Sequence, residues 1–236
     1  MKVGAAIVIA LGMILAVAFL GTTLSASMKD MQTWNRVVTV KGLSEREYVA
    51  DQVIWPIQFV DAGNDLPELY ERIEQNSATV VRFLEDSGIK SDSITTGKPQ
   101  ITDKLAQQYG GSDRAPFRYS SVQTITVFSS QVETVRTAMQ QMGKLIKSGI
   151  VLSENRYEAQ PDYVFTRLNE VKPSMIEEAT LNAREVAEKF ATDSQSTLGK
   201  IKRANQGRFS ISSRDSYHPH IKKVRVVSTI DYTLVD

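Results

Sequence analysis

The chain contains two histidines, His218 and His220, separated only by Pro219. Imidazole serves both as a general base and as a ligand for borderline metals, so two rings in one extended loop could hold a metal or work on a proton. A structural metal site takes four protein ligands as a rule, and the chain has no cysteine and no third histidine to complete one. Triad catalysis needs a base oriented by a third group. Asp215 and Ser216 stand nearby in sequence, but proximity alone does not put a carboxylate on a ring nitrogen. The plainer reading is a turn between two strands fixed by Pro219. Glu177, Glu178 and Asp51 read as solvated faces rather than as an acid–base pair. Lys200, Lys202, Arg203, Lys222, Lys223 and Arg225 would form a basic strip if their strands paired, suited to anionic lipid or cell-wall polymer; an ordinary solvated sheet face is the alternative. Gly97-Lys98 and Gly110-Gly111 lack the strand, glycine-rich loop and helix of a phosphate-binding loop. No catalytic residue, cofactor or metal is expected.

Composition narrows the class. A chain of 236 residues that is 42% hydrophobic can bury a sizeable core. The formal net charge of +1 does not call for a polyanionic partner, and nucleic acid is not expected. With no cysteine, disulfides, thiol nucleophiles and a lipidated N-terminal cysteine are excluded.

Residues 3–20 are uncharged and almost all apolar, with Lys2 before them and small or polar residues up to Lys29. Such a run is an export signal or a membrane anchor. Ser25, Ala26 and Ser27 resemble a cleavage region. The run nevertheless exceeds the roughly 7–15 residues of a signal core and approaches the roughly 20 that span a bilayer, which favours an uncleaved anchor. With Lys2 held inside, the rest of the chain faces out of the cytoplasm in either case.

The elements that must position the loop residues follow from periodicity. Between 165 and 211, Val171, Met175, Ile176, Ala179, Ala183, Val186, Ala187 and Phe190 recur at three- and four-residue steps, the apolar stripe of a helix of about five turns that needs a sheet to lie on. Asn169 is its expected N-cap, and Pro173 is expected within the first turn. Val37, Val38, Thr39 and Val40 read as a short strand ended by Gly42. Over 48–60, Val49, Val53, Trp55, Ile57 and Phe59 alternate onto one face, with Pro56 implying an edge or a bulge. Asp65-x-x-Glu68 and Ser130-x-x-Glu133 read as capping boxes opening two further helices, closed by Gly88 and Gly149. The second carries a stripe of Val132, Val135, Ala138, Met139, Met142 and Ile146. Strands are expected at 94–104, 119–128, 156–165 and 224–234, the last with one wet face. The polar stretch 107–116 reads as a hairpin tip beside Tyr109, Phe117 and Tyr119. The fold class is therefore α+β, a largely antiparallel sheet with amphipathic helices packed on one face, preceded by an N-terminal hydrophobic helix.

Three segments carry a family resemblance. Val38-Thr39-Val40-Lys41-Gly42, the stretch from Leu168-Asn169-Glu170 to Ala183-Arg184-Glu185-Val186-Ala187, and the turn and strand Leu198-Gly199-Lys200 to Asn205-Gln206-Gly207 together resemble the SIMPL-domain family of bacterial envelope proteins. The resemblance spans about residues 36–235, with residues 1–27 left as anchor or signal and 28–236 as the family domain. It implies a periplasmic or membrane-anchored domain, associated with oxidative-stress tolerance, able to self-associate and without a catalytic motif. The expectation is accordingly a non-enzymatic cell-membrane protein, attached through residues 3–24 with its C-terminal domain in the periplasm, that binds or assembles as a homo-oligomer. The alternatives are a soluble periplasmic form after signal cleavage, and an envelope hydrolase or metal-dependent stress enzyme using His218 and His220. A strand edge along 224–234 or the 107–113 tip is the expected docking place for a second copy.

Overall fold

The computed structural model describes residues 12–13, 19–21, 36–106, 116–153 and 159–235. The anchor expected at 3–24 lies mostly outside them, and the tip at 107–113 with Tyr109 lies wholly outside. Among the described residues, no helix is long and apolar enough to cross a membrane. In chain order the elements are β1 (Val37–Val49), β2 (Gln52–Gly63), α1 (Leu66–Asp86), β3 (Ile94–Thr96), β4 (Gln100–Asp103), β5 (Tyr119–Ser129), α2 (Val132–Gln140), α3 (Gly143–Lys147), β6 (Val151–Leu152), β7 (Asp162–Val164), α4 (Leu168–Asp193), β8 (Thr197–Gln206), β9 (Ser210–Ser213) and β10 (Ile221–Val235). They form two antiparallel sheets with helices, an α+β fold. The chain divides into two compact units, one of residues 1–46, 170–210 and 224–236, the other of 47–169 and 211–223.

In the second unit β2 and β5 run antiparallel from Val53 opposite Ser129 to Gly63 opposite Tyr119. The outer side of β5 carries β3 and β4, and the outer side of β2 carries β6 and β7. Period-two alternation puts Val53, Trp55, Ile57 and Phe59 on the face that their register shares with Gln123, Ile125 and Val127. Leu69, Ile73, Val80 and Leu84 of α1 and Val132, Val135 and Ala138 of α2 complete one core with them. Asp65 caps α1 by accepting from the Glu68 N–H at 2.9 Å, while the Glu68 carboxylate turns to Arg72 instead of closing the box. Gly88 follows the helix at φ +88°, the left-handed region where glycine has no Cβ penalty.

Several expectations change here. β2 is not an edge strand, since it has strands on both sides, and it is not bulged at Pro56 in its pairing with β5. Gln58 presents its carbonyl to Ser153 beside β6, so Pro56, two residues away, directs its nitrogen to that same side, between the residues paired with β7 and those paired with β6. The missing donor therefore leaves no ladder bond unmade. Val49 belongs to β1 and is 58% exposed, and the chain breaks at 50–51 instead of running on from 48 to 60. The strand expected at 94–104 is two pieces separated by 97–99; of that expected at 156–165, residues 156–158 lie outside the described residues and 162–164 form β7. Ser130 does not cap α2, whose N-cap is Gln131 without a side-chain bond, and the helical stretch splits so that Leu145, not Ile146, is buried.

In the first unit β10 lies between β1 and β8, with β9 also paired to β10. The bonds from Leu234 N to the Arg36 carbonyl and from Ala50 N to the His220 carbonyl, 2.9 and 2.8 Å, run β1 antiparallel to β10. β10 is thus an inner strand, and the docking edge expected along 224–234 does not exist. The buried row of α4 is Met175, Ala179, Ala183, Ala187 and Ala191, while Val186 and Phe190 are exposed. Gly42 explains the alanines. It lies inside β1 instead of ending it, and a Cβ there would run into the Ala179 carbonyl and come within 2.8 Å of the Ala183 Cβ. Helix and strand approach so closely that only small side chains fit between them. Asn169 is already inside α4, so it is not the cap, and Pro173 is the sixth helical residue, beyond the first turn.

Candidate functional site

His218 and His220 sit on the turn that joins β9 to β10, closed by bonds from Arg214 N to the Ile221 carbonyl and from Ile221 N to the His218 carbonyl, 2.8 and 3.0 Å. Asp215 organises it. Its carboxylate accepts from the backbone N–H groups of Tyr217 and His218, each at 2.8 Å, and from Arg214 Nε at 2.9 Å. His218 Nδ1 lies 2.9 Å from the same carboxylate. The Arg214 bond, followed by those from His218 and Tyr217, holds the Asp215 carboxyl far below the ordinary carboxylate range. Donation from Nδ1 to Asp215 leaves Nε2 as the acceptor of a neutral His218 ring. The proximity seen in sequence is therefore a hydrogen bond, the base-and-orienter half of a triad. The nucleophile half is missing: among the described residues, no serine hydroxyl is hydrogen-bonded to either imidazole.

His220 faces inward. Its ring lies 6.0 Å from the edge-on ring of Tyr163 and 6.0 Å from that of His218. Burial, with the charges of Arg136 and His218, pushes its pKa below the ordinary value, and Glu133 opposes them. Among the described residues, no group of three or more His, Asp and Glu could hold a metal ion.

The remaining candidates are held apart or put to structural use. β8 meets β10 with Arg203 opposite Asp231 and Ile201 opposite Tyr232, so Lys200, Lys202 and Arg203 gather at one end of β10. Arg225 lies six residues before Asp231 on β10, about 20 Å along the strand at 3.4 Å per residue, so it does not join them in one cluster. Asp51 accepts from the N–H and hydroxyl of Thr166 and from Arg167; although burial opposes ionisation, these bonds lower its pKa and tie down the entry to α4. Glu178 accepts from Ser44 at 2.9 Å and pairs with Arg46 at 2.7 Å, fastening α4 to β1. Neither acid is a merely solvated face. One contact had no sequence signal: the buried Lys222 donates to the exposed Ser213 hydroxyl at 3.2 Å, because the β9–β10 turn sets them side by side.

An open surface lies on β8. α4 covers Val40 of β1 with Ile230 and Tyr232 of β10, but every residue of β8 from 200 to 206 is exposed. Ile201 is 50% exposed, and Leu181 and Phe190 on the outer side of α4 are 59% and 54% exposed.

Fold and site define a two-unit α+β protein built on antiparallel sheets, with a histidine turn and an open strand. The SIMPL family model, described as a protein of unknown function (DUF541), matches residues 38–227, and the chain belongs to that family. No curated protein matches it.

Proposed function

We propose that this protein is a non-catalytic module of the bacterial cell envelope that acts by binding or self-assembly. In this proposal residues 3–24 hold it in the cell membrane and the remainder occupies the periplasm; signal cleavage, giving a soluble periplasmic form, is the alternative. The link to oxidative-stress tolerance rests on the family resemblance alone. The observation that carries the assembly reading is β8. Proteins blunt free strand edges by keeping them short, broken or covered. The outer strands of the other sheet, β3, β4, β6 and β7, have two to four residues each. By contrast β8 extends over ten residues, pairs with β10 on one side, and exposes Ile201. A second copy docking along β8 would cover that isoleucine. The expected result by sedimentation equilibrium of the full-length protein is an oligomer, weakened by Ile201→Glu without loss of secondary structure. A monomer at tens of micromolar would remove the assembly reading.

The hydrogen bond between Asp215 and His218 favours a second reading, a hydrolase or metal-dependent stress enzyme. Replacing both His218 and His220 by alanine separates the two. Assembly survives this change under the first reading, and turnover of ester or peptide substrates disappears under the second.

A further inference from the structure

A cavity of about 340 Å³ opens in the second unit, lined among others by Tyr70, Ile73 and Glu74 of α1, by Gly97 and Pro99 between β3 and β4, and by Gln123 of β5. Its origin is the break between β3 and β4. β3 pairs with 125–127 and β4 with 119–122. At the gap, Gly97 donates its N–H to the Thr124 carbonyl at 2.9 Å, and the chain then steps away past Pro99. α1 presents Tyr70, Ile73 and Glu74 to this gap because residues three and four apart share a helix face.

Gln123 does not belong there on packing grounds. It stands in the buried row with Ile125 and Val127, opposite Phe59, and is only 2% exposed. Its Nε2 donates to the Gly97 carbonyl at 2.8 Å, which fixes the orientation of the amide. The other end, Oε1, is buried without a hydrogen-bond partner among the described residues. An unmet buried acceptor is destabilising, and native proteins leave few of them without a reason.

We propose that this cavity binds a primary alkylammonium, carried either by a small free amine or by a lysine-like side chain. What it offers is an acceptor at Gln123, a carboxylate at Glu74, an aromatic face at Tyr70 and an apolar wall of Ile73 and Pro99. Among the described residues, no lysine or arginine lines it; Lys98, between two lining residues, is not part of the lining. Acceptors plus negative charge select a cationic donor, and an aromatic ring adds attraction for it. The volume falls at the small end of ligand pockets, about 300–1,000 Å³. The inference is independent of assembly through β8.

The test titrates the full-length protein with putrescine and with Nα-acetyl-lysine methylamide by calorimetry, using n-butanol and butyrate as matched probes without the positive charge. Saturable single-site binding of either amine is expected, with n-butanol at least about tenfold weaker and butyrate silent. Preference for putrescine identifies a free amine as the ligand, and preference for the lysyl compound identifies a side chain. Gln123→Leu and Glu74→Gln should each weaken binding about tenfold. Glu74 is exposed on α1, so its variant remains informative if the Gln123 variant fails to fold. No saturable amine binding up to about 10 mM, equal binding of n-butanol, or affinity unchanged in Glu74→Gln would overturn the proposal.

Discussion

Replacing Gly42 by alanine should loosen α4 from its sheet while leaving the second unit intact. The new Cβ would lie 2.8 Å from the Ala183 Cβ and closer still to the Ala179 carbonyl. Carbon pairs prefer about 3.5–4.0 Å, so the helix must retreat by at least about 0.7 Å, and both obstacles are backbone or the first side-chain atom, which cannot swing aside. Over-packing of this kind costs about 1–3 kcal/mol, offset by the roughly 0.4–1 kcal/mol that glycine-to-alanine changes gain through the unfolded chain. A net loss of about 1.4 kcal/mol corresponds to about tenfold faster exchange of protected amides. Hydrogen exchange with mass spectrometry should show that acceleration in peptides covering 175–191 and none in peptides covering 66–86. Gly143→Ala is the control: a Cβ there meets nothing within 4 Å, and the change should be neutral or stabilising by up to about 1 kcal/mol. Unchanged protection of α4 in Gly42→Ala would refute the close seating of helix on strand.

Further outcomes follow from burial and charge. Ile230→Ala, at 2% exposure in the first unit's core, should cost about 2–5 kcal/mol in denaturant unfolding, whereas Phe190→Ala, at 54% exposure, should stay within about 0.5 kcal/mol. Asp65→Ala removes the cap of α1 and should cost about 1 kcal/mol by the same measurement. His220 has a folded pKa below its unfolded value of about 6.5, so the folded state binds its proton less readily than the unfolded one. Stability should therefore fall as the pH drops below about 6.5, and His220→Phe should flatten that part of a melting-temperature profile.

Features decided by neighbours in sequence are legible from it, and those decided by distant partners are not. The row Val53, Trp55, Ile57, Phe59, the Asp65 cap and the Gly88 stop were legible because each is decided by residues within a few positions. Phe190 fits the three- and four-residue spacing of the stripe yet is exposed, because spacing alone does not say which of two adjacent rows faces the sheet. The seat of α4 is a file of alanines, and only the distant Gly42 explains why small residues win. Pro56 points to an edge or a bulge from sequence alone, because the gap between β6 and β7 that accommodates it depends on strands about 100 residues further on. At the histidine turn the residues were visible and their hydrogen bond was not, since three-residue spacing admits many turn geometries. Gln123 gave no signal, because a polar residue in an alternating strand reads as facing water.

The pairing of β1 with β10 joins Arg36 to Leu234, nearly the whole described length of the chain. During synthesis β1 emerges first and must wait for roughly 200 more residues, about 10–40 s at 5–20 residues per second, before its partner exists. Until then the second unit can lay β2 against β5 and pack α1 and α2, but β1 stays an unpaired strand holding Val38 and Val40 in search of cover. Ribosome-stalled chains lengthened stepwise should accordingly acquire protease resistance in 52–152 well before 37–46, and the latter only once β10 is free of the exit tunnel. A nonsense mutation before β10 would leave the first strand orphaned, a species primed to pair with its neighbours.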